Sequence, residues 1–188
     1  MLKLCLIGLG NPGSKYNKTR HNIGKEWLLD ASKKYSANFV LKEKIQAEIA
    51  YSHSDEILWV IPNNFVNNSG RTLAKLMKNI NIEEDKIIIF HDDLDLNPGE
   101  VRLKEDGGHG GHNGLRDIFE KTGSRKFLRM RIGVGHPGNK EMVSNWVLTK
   151  FHPTDKKYID SAYDKCTTVL DLIFNHEFSE AQKILHTK

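Results

Sequence analysis

Three short, continuous apolar runs constrain the fold of this chain more than any other feature of its sequence. They lie at residues 2–9, 57–61 and 86–91, and the last two are rich in β-branched side chains. Runs of this length that do not alternate with polar residues are typical of strands buried on both faces of a sheet. Segments with the apolar spacing of helices lie between them, as at residues 23–35 and 73–80. Strands that alternate with helices in this way predict an α/β fold.

The remaining segments complete one predicted domain. Alternating apolar residues predict further strands near residues 47–51, 101–103 and 130–134. Helical spacing predicts a long helix from Thr154, Asn22 is predicted to cap the first helix, and residues 140–151 show no clear periodicity. Because no repeat, linker or low-complexity tract interrupts residues 1–188, we expect a single α/β domain with a central mixed, mostly parallel twisted β-sheet flanked by α-helices.

Composition and cysteine usage predict a soluble protein in a reduced compartment. Apolar residues make up 38% of the chain and charged residues 28%, and no apolar run reaches the ~18 residues that a membrane span needs. The N-terminus has no basic region and no small-residue cleavage site, so we expect a first strand rather than a signal peptide. Cys5 and Cys166 do not suggest a disulfide framework. We therefore expect a cytoplasmic protein with no membrane segment.

Basic residues concentrate in one part of the chain, although the net charge is only +4. Residues 121–131 contain five Lys or Arg and no Asp or Glu, and Arg102, Lys104 and Arg116 lie upstream. Such a cluster is either a solvated face or a patch that binds a polyanion such as RNA. The sequence leaves both interpretations open.

The loop after the first strand reads G-L-G-N-P-G from Gly8 to Gly13 and so contains the pattern G-x-G-x-x-G. A dinucleotide site requires a helix whose free N–H groups begin in this loop. Pro12 removes one of these N–H groups, and residues 14–20 show no apolar periodicity, so the helix is expected to begin near Asn22. A dinucleotide interpretation is therefore disfavoured.

A histidine and an aspartate are the candidate catalytic pair. His21 lies at the start of the first predicted helix, and Asp92 and Asp93 follow the strand at residues 86–91. Side chains at the carboxyl ends of strands meet in the usual cleft of an open α/β sheet. A neutral imidazole takes a proton from water when an acceptor on its other nitrogen fixes the tautomer and stabilises the imidazolium. On this hypothesis, Asp92→Asn is expected to reduce turnover less than His21→Ala.

Three loops bring asparagines toward the same predicted cleft. They contain Asn11, Asn67 with Asn68, and Asn113. Asparagines are ordinarily turn residues, which explains any one of them alone. Several side-chain amides in one cleft can bind hydroxyls and a carbonyl, and one of them can stabilise an oxyanion.

The sequence H-x-x-H at His109 and His112, together with His91, raises a metal hypothesis. Zinc sites usually hold their protein ligands in fixed geometry, and the five glycines of residues 107–114 make this pair flexible. No G-x-S-x-G turn is present and neither cysteine lies in a reactive motif, which disfavours an acyl-enzyme. We therefore expect no metal and no covalent intermediate.

Five segments together resemble bacterial-type peptidyl-tRNA hydrolases. They are G-L-G-N-P-G-x-x-Y-x-x-T-R-H-N (8–22), F-x-N-x-S-G (65–70), H-D-D-L-D-L-x-P-G (91–99), G-G-H-G-G-H-N-G-L (107–115) and R-I-G-V-G-H-P-G (131–138). They occur in the order and at the spacing of the family and extend over essentially the whole chain. The resemblance implies hydrolysis of the ester that joins a peptide to the 3'-terminal adenosine of tRNA, without a metal or other cofactor.

The resemblance also implies roles for the matched positions. His21 is implied to be the catalytic base, Asp92 to support it, and Asn11 to distinguish a blocked amino group from a free one. The positions implied to line the site for the substrate and the tRNA end are Tyr16, Phe65, Asn67 and Asn113. Lys104 and Arg131 are implied to hold tRNA phosphates. The expected partner is peptidyl-tRNA, and members of the family are generally monomeric.

Two positions depart from the family pattern. Val66 stands where methionine is common, and Asn64 where threonine is common. Valine is shorter and stiffer, so the first residues of the peptide are expected to fit differently, but Val66 has no acid–base role and no loss of activity is expected. The alternative function is a non-catalytic RNA- or protein-binding module on the same fold, as some relatives are used.

Overall fold

The computed structural model describes residues 1–187, in which seven strands form one sheet. The strands are β1 (Leu4–Gly8), β2 (Val40–Lys42), β3 (Ala47–Ser52), β4 (Ile57–Pro62), β5 (Ile87–Asp93), β6 (Val101–Glu105) and β7 (Leu128–Gly133). Their order across the sheet is β2-β3-β4-β1-β5-β7-β6. The central strands β4, β1, β5 and β7 run parallel, whereas β2, β3 and β6 pair antiparallel toward the two edges. The mixed sheet predicted from the sequence is confirmed, with its parallel strands at the centre.

Burial explains which strands the sequence reveals. Every residue of β1 and β4 is buried, and in β5 only the last residue is partly exposed. Strands covered on both faces must be apolar throughout, so these appear as continuous apolar runs. The sequence does not predict β2, because its three residues are all exposed at the sheet edge and burial imposes no pattern on them.

Helices cover both faces of the sheet, as predicted. They are α1 (Ile23–Lys33), α2 (Ser69–Ile80), α3 (Asn113–Thr122), α4 (Val143–Val147), α5 (Pro153–Thr168), α6 (Leu170–Phe174) and α7 (Phe178–His186). One apolar core joins α1, α5, α6 and α7 to one face, and a second core joins α2 and α3 to the other. Cys5 and Cys166 are free and lie in different cores. Within residues 1–187, none of the helices combines the length and the apolar character that crossing a bilayer requires.

A glycine in the first turn of α1 lets this helix approach the sheet closely. A Cβ atom at Gly24 would lie 2.1 Å from the carbonyl oxygen of Phe90 in β5, so a side chain cannot be accommodated at this contact. The backbone N–H of Lys25 also donates to the carbonyl of Leu9, at 2.9 Å. The start of α1, with His21 just before it, therefore lies against the C-terminal end of β5.

Two local predictions differ from the structure. The segment at residues 140–151, which shows no periodicity, contains the short helix α4, and only Val147 of this helix is buried. Its apolar residues Val143, Trp146 and Val147 have helical spacing, but a helix of five residues is too short for a periodicity to be recognised. Asn22 precedes α1 as predicted, but its side chain makes no capping hydrogen bond. It bonds instead to the loop that contains Asn11.

Candidate active site

The start of α1 and the end of β5 bring His21 and Asp92 together. His21 lies in a 3-10 turn (Arg20–Asn22), and its Nδ1 is 2.9 and 3.0 Å from the two carboxylate oxygens of Asp92. The Asp92 side chain is 2% exposed and that of His21 is 15% exposed. Because an ionised carboxylate only accepts hydrogen bonds, Nδ1 of a neutral His21 carries the proton and Nε2 has the free lone pair.

A second imidazole bonds the same carboxylate. His112 precedes α3, and its Nδ1 accepts a hydrogen bond from the backbone N–H of Leu115 at 3.2 Å, which leaves the proton of the neutral ring on Nε2. This Nε2 donates to Asp92 Oδ1 at 2.9 Å. Asp92 therefore accepts from His21 and His112, which precede helices on opposite faces of the sheet.

Charge and hydrogen bonding outweigh burial at this centre. Burial raises the pKa of Asp92, but the two imidazoles lower it by more, so this pKa lies well below its usual 3.8. Burial lowers the pKa of His21, whereas the charge and the hydrogen bond of Asp92 raise it by more, so this pKa lies above its usual 6.5. Asp92 is therefore ionised, and it makes His21 a stronger base.

Asn11 is held so that its amide N–H2 group remains free. Its backbone exchanges hydrogen bonds with the side chain of Asn22: Asn11 N donates to Asn22 Oδ1 at 2.8 Å, and Asn22 Nδ2 donates to Asn11 O at 2.9 Å. Asn11 Oδ1 accepts from the backbone N–H of Val66 at 2.8 Å. Asn11 lines a cleft with His21, and its Nδ2 has no hydrogen-bond partner among the described residues. Asn11 can therefore donate to a ligand through Nδ2, while its Oδ1 is already engaged.

The cleft has two halves that both border His21. One half is lined by amides and apolar side chains, among them Asn11, Phe65, Asn67, Asn113, Val147 and Leu148. The other half lies over Asp92 and is lined in part by His91, Asp93, His109 and Val143. Tyr16 contacts Phe65 edge-to-face, with ring centroids 6.0 Å apart. The three asparagine loops noted in the sequence therefore meet at the histidine.

Comparison with known proteins identifies the family. A family model described as Peptidyl-tRNA hydrolase matches residues 5–188. The chain is 40% identical over 185 residues to the peptidyl-tRNA hydrolase of Francisella tularensis subsp. tularensis (strain FSC 198), with 97% of each chain covered. It is 39% identical over 186 residues to that of Shewanella halifaxensis (strain HAW-EB4), covering 97% of this chain and 95% of the relative. The crystal structure of peptidyl-tRNA hydrolase from Acinetobacter baumannii superposes with a TM-score of 0.94 at 35% identity, covering 100% of this chain and 97% of that one.

The chain belongs to the peptidyl-tRNA hydrolase family. The resemblance carried by the five sequence segments is thereby confirmed, together with the α/β fold predicted from the alternation of strands and helices. The relatives carry the name of an enzyme, so the chain is a member of an enzyme family.

The two basic residues that the peptidyl-tRNA hydrolase resemblance assigned to phosphates lie outside the cleft. Lys104 and Arg131 line a recess on β6 and β7, which adjoins the cleft at Asp93 and His109. Arg131 Nε donates to Asp93 Oδ2 at 2.7 Å. Lys104 is exposed, and its ammonium has no ion-pair partner within residues 1–187.

The basic cluster at residues 121–131 is not one continuous patch. Lys121 and Arg131 form ion pairs with carboxylates. Arg129 is buried, and its guanidinium donates to two carbonyls of the loop before α3. Of the five, Arg125 and Lys126 are the ones that are both exposed and free of an ion pair in the described part of the chain.

The metal and dinucleotide hypotheses are affected in different ways. The hypothesis from the sequence grouped His112 with His91 and His109. Among residues 1–187, the side chains close enough to hold one metal ion are instead His21, Asp92 and His112, whose ligand atoms lie within 4.8 Å of one another. Hydrogen bonds already join these three side chains, so a metal ion would have to replace both shared protons.

The helix after the dinucleotide-like motif begins only at residue 23, near the position predicted from the sequence. The free N–H groups at the start of α1 therefore do not lie in the glycine loop.

Three features of this peptidyl-tRNA hydrolase site escape sequence reasoning. His112 is the second partner of Asp92, Asn22 supports Asn11, and α4 forms one wall of the cleft. The available signal for His112 is its position directly before a predicted helix and beside Asn113. For α4 the available signal is the helical spacing of Val143, Trp146 and Val147, which is too short to predict a helix.

Proposed function

We propose that this chain hydrolyses the ester between a peptide, or an N-blocked aminoacyl group, and the 3'-terminal adenosine of tRNA. Membership in a family of peptidyl-tRNA hydrolases supports the reaction class. The observation that carries the proposal is the bond of His21 Nδ1 to a buried carboxylate, which leaves Nε2 free at the cleft. A non-catalytic RNA- or protein-binding module has no chemical need for such a pair.

In the proposed reaction, His21 is the general base. Its Nε2 accepts a proton from water while the water oxygen attacks the ester carbonyl carbon. The imidazolium that forms keeps its Nδ1–H bond to the ionised Asp92. It then returns the proton to the ribose oxygen as the ester C–O bond breaks, which releases the peptide acid and the tRNA. General-base catalysis of this kind contributes about 10²–10⁴-fold to the rate.

Asn11 is the proposed group that distinguishes peptidyl-tRNA from aminoacyl-tRNA. Because its Oδ1 is engaged by Val66, its Nδ2–H is the group that donates to the substrate. A blocked amino group offers a carbonyl oxygen as acceptor, whereas a charged free amine offers only donors. Asn67 lines the same half of the cleft, and we assign it a hydrogen bond to the developing oxyanion. One such donor is worth about 10²–10³-fold.

The remaining site residues are proposed to bind the two ends of the substrate. Phe65 is 49% exposed and packs on Tyr16, so the rim of the cleft offers an aromatic surface suited to stacking on the terminal adenine. Asn113 lines both halves of the cleft and offers a further amide to the ribose or the peptide. Lys104 and Arg131, in the adjoining recess, are proposed to contact tRNA phosphates.

The setting of the reaction is part of the same proposal. We take residues 1–188 as one domain that acts as a monomer, and the match of the family model to residues 5–188 supports the single domain. The cytoplasm is the proposed location, because translation produces the substrate there. The two free, buried cysteines agree with a reduced compartment.

Hydrolysis of an N-acetylated aminoacyl-tRNA tests the proposal directly. Wild-type protein is expected to turn over with or without a chelator, and His21→Ala is expected to lose about 10²–10⁴-fold in kcat while keeping its affinity for tRNA. His176→Asn, at an exposed histidine that does not line the cleft, is the matched control and is expected to behave as wild type. Near-normal turnover by His21→Ala would contradict the base assignment, and an inactive wild-type protein would contradict the reaction itself.

A further inference from the structure

The residue before the proposed base is a buried cation without a carboxylate partner. Arg20 is 3% exposed, and among the described residues it forms no ion pair. Its guanidinium bonds neutral oxygens instead: Nη1 donates to Thr149 Oγ1 and to the carbonyl of Lys150, both at 2.6 Å, and Nε points at the carbonyl of Val134 at 3.4 Å. Burial lowers the pKa of Arg20 from its usual 12.5, the negative charge of Asp155 partly offsets this effect, and the guanidinium stays charged at neutral pH. A buried charge of this kind requires a specific structural reason.

The acceptors of Arg20 lie on both sides of α4. Val134 directly follows β7 and begins the segment that leads toward α4, and Thr149 and Lys150 follow the helix. The guanidinium also lies over the ring of Trp146, a residue of α4, 3.7 Å from the ring centroid. Trp146 Nε1 in turn donates to the carbonyl of Gly135 at 2.8 Å. One side chain therefore contacts the start of the preceding segment, the helix itself and the residues that follow it.

The helix α4 cannot hold its own position. It has five residues, and only Val147 is buried. A helix this short is not stable by itself, so its place depends on tertiary contacts. Yet Ser144 and Val147 border both halves of the cleft beside His21. The width of the cleft therefore depends on what holds α4.

We propose that Arg20 is a positioning residue that fixes α4 at the distance from His21 at which the cleft binds the peptide part of the substrate. This inference rests on the proposed function, because it assigns the peptide to the cleft that α4 borders. The same residue that precedes the base thereby holds the opposing wall. Its backbone contributes as well, since Arg20 N donates to the carbonyl of Thr149 at 3.0 Å.

Arg20 acts on binding rather than on the proton transfer. His21 is held by Asp92, and Asp92 by His112, through contacts that do not involve Arg20. Displacement of α4 leaves these bonds in place but removes surface that contacts the peptide. The phosphate recess at Lys104 does not include α4 either. Affinity for the peptide part is therefore the property that Arg20 controls.

Arg20→Lys tests this role, because it keeps the charge but loses the planar group that bonds and stacks at once. The substrates are one tRNA carrying either an N-acetylated amino acid or an N-acetylated tripeptide. For the tripeptide we expect KM to rise about tenfold. This corresponds to a loss of about 1.4 kcal/mol of binding free energy. A desolvated cation–π contact and its hydrogen bonds together contribute more than that. We expect a smaller rise for the single amino acid, and kcat, its pH profile and the affinity for uncharged tRNA should stay close to wild type. Ile173→Val, in the apolar core, controls for a general loss of stability and is expected to change neither KM nor kcat.

Tryptophan fluorescence reports the same contact without turnover. Arg20→Lys should alter the emission of Trp146, and this difference should vanish in a Trp146→Phe background, where Trp27 and Trp59 remain. If Arg20→Lys does not fold, Thr149→Val provides a second test. It removes the hydroxyl that accepts from Arg20 Nη1, at an exposed position, and should raise KM for the tripeptide substrate by less than the tenfold expected for Arg20→Lys.

Several results would overturn the inference. A fall in kcat with an unchanged KM would assign Arg20 to the proton transfer, and an equal loss of affinity for uncharged tRNA would assign it to the tRNA side. The absence of a fluorescence difference would show that Trp146 and α4 do not depend on Arg20. If the wild-type protein hydrolyses neither substrate, the proposed function fails, while the fluorescence comparison still decides whether Arg20 holds the helix.

Discussion

Asp92→Asn should be more damaging than the loss of one charge suggests, because His112 decides how the new amide is oriented. His112 Nε2 carries a proton, since its Nδ1 accepts from Leu115, and this proton needs an acceptor at position 92. The asparagine oxygen therefore occupies the place of Oδ1, 2.9 Å from His21 Nδ1, and the N–H2 group takes the place of Oδ2, 3.0 Å from the same nitrogen. A protonated Nδ1 would have to share the oxygen with His112 and would meet the N–H2 group beside it, whereas a bare Nδ1 accepts from that N–H2 group. His21 is therefore expected to favour the tautomer with the proton on Nε2. The lone pair that the proposed mechanism needs at Nε2 is then lost.

The magnitude follows from the buried contact. To react, the variant must return to the less favoured tautomer, in which Nδ1–H shares the asparagine oxygen with His112 and the buried N–H2 group loses its acceptor. An unsatisfied buried donor costs about 1–3 kcal/mol. At about 1.4 kcal/mol for each factor of ten, this predicts a loss of roughly 10–10²-fold in the hydrolysis step. The structure therefore predicts a smaller loss for Asp92→Asn than for His21→Ala, as expected from the sequence.

A double variant separates this explanation from a simple loss of charge. In Asp92→Asn/His112→Ala the amide is free to turn, so its oxygen can accept from His21 Nδ1 and restore the reactive tautomer. We expect this protein to hydrolyse N-acetylated aminoacyl-tRNA at least about tenfold faster than Asp92→Asn in single-turnover assays. His112→Ala alone, which retains the carboxylate, should be slower than wild type. A double variant that is no faster than Asp92→Asn would refute the orientation argument.

Three further predictions concern separate parts of the molecule. Asn11→Asp keeps the acceptor for the backbone N–H of Val66 but replaces the free N–H2 donor with an oxygen. The value of kcat/KM for blocked aminoacyl-tRNA should therefore fall about 10²–10³-fold, and that for unblocked aminoacyl-tRNA should fall less. An equal loss on both substrates would contradict the proposed role of Asn11 in discrimination. Lys104→Glu should weaken tRNA binding and reduce the slope of log affinity against log salt by about one or more, whereas Arg125→Glu, at an exposed position outside the recess, should change it less; identical slopes would argue against a phosphate contact at Lys104. Burial lowers the pKa of His91 from 6.5 to about 3. Between these pH values the unfolded chain binds a proton at His91 that the folded protein does not bind. The free energy of unfolding therefore falls by about 1.4 kcal/mol for each pH unit as the pH drops from 6.5 toward 3. Denaturant unfolding of His91→Leu from pH 4 to about 6 should show a slope smaller by that amount, and an unchanged slope would contradict a buried, neutral His91.

The sequence predicts the parts of this molecule that burial or a continuous motif makes visible. The strands β1, β4 and β5 are apolar throughout because helices cover both faces. His21 and Asp92 can be paired in advance because one follows a predicted strand and the other precedes a predicted helix. The loops around Asn67 and Asn113 reach the same cleft for a similar reason, since each leads into a helix.

Other parts of the site depend on contacts that no local pattern encodes. Asn22 has the sequence position of a helix cap, but its side-chain amide bonds the backbone of Asn11 instead, through both its oxygen and its nitrogen. His112 has the spacing of a metal ligand with His109, yet its Nε2 donates a hydrogen bond to the carboxylate of Asp92, on a strand from another part of the chain. The helix α4 has only five residues, of which only Val147 is buried, and its contact with Arg20 comes from a distant part of the chain.

The close approach of α1 to β5 at Gly24 has a consequence for how mutations in this protein should be interpreted. A methyl group at this position would act as a wedge between α1 and β5, since it would meet the oxygen of Phe90 at 2.1 Å. His21 travels with the start of that helix, whereas Asp92 stays with the strand, so the wedge would open the gap between imidazole and carboxylate. Gly24→Ala could thus abolish hydrolysis although residue 24 does not line the cleft. Mutagenesis restricted to the residues around the cleft would not find this effect.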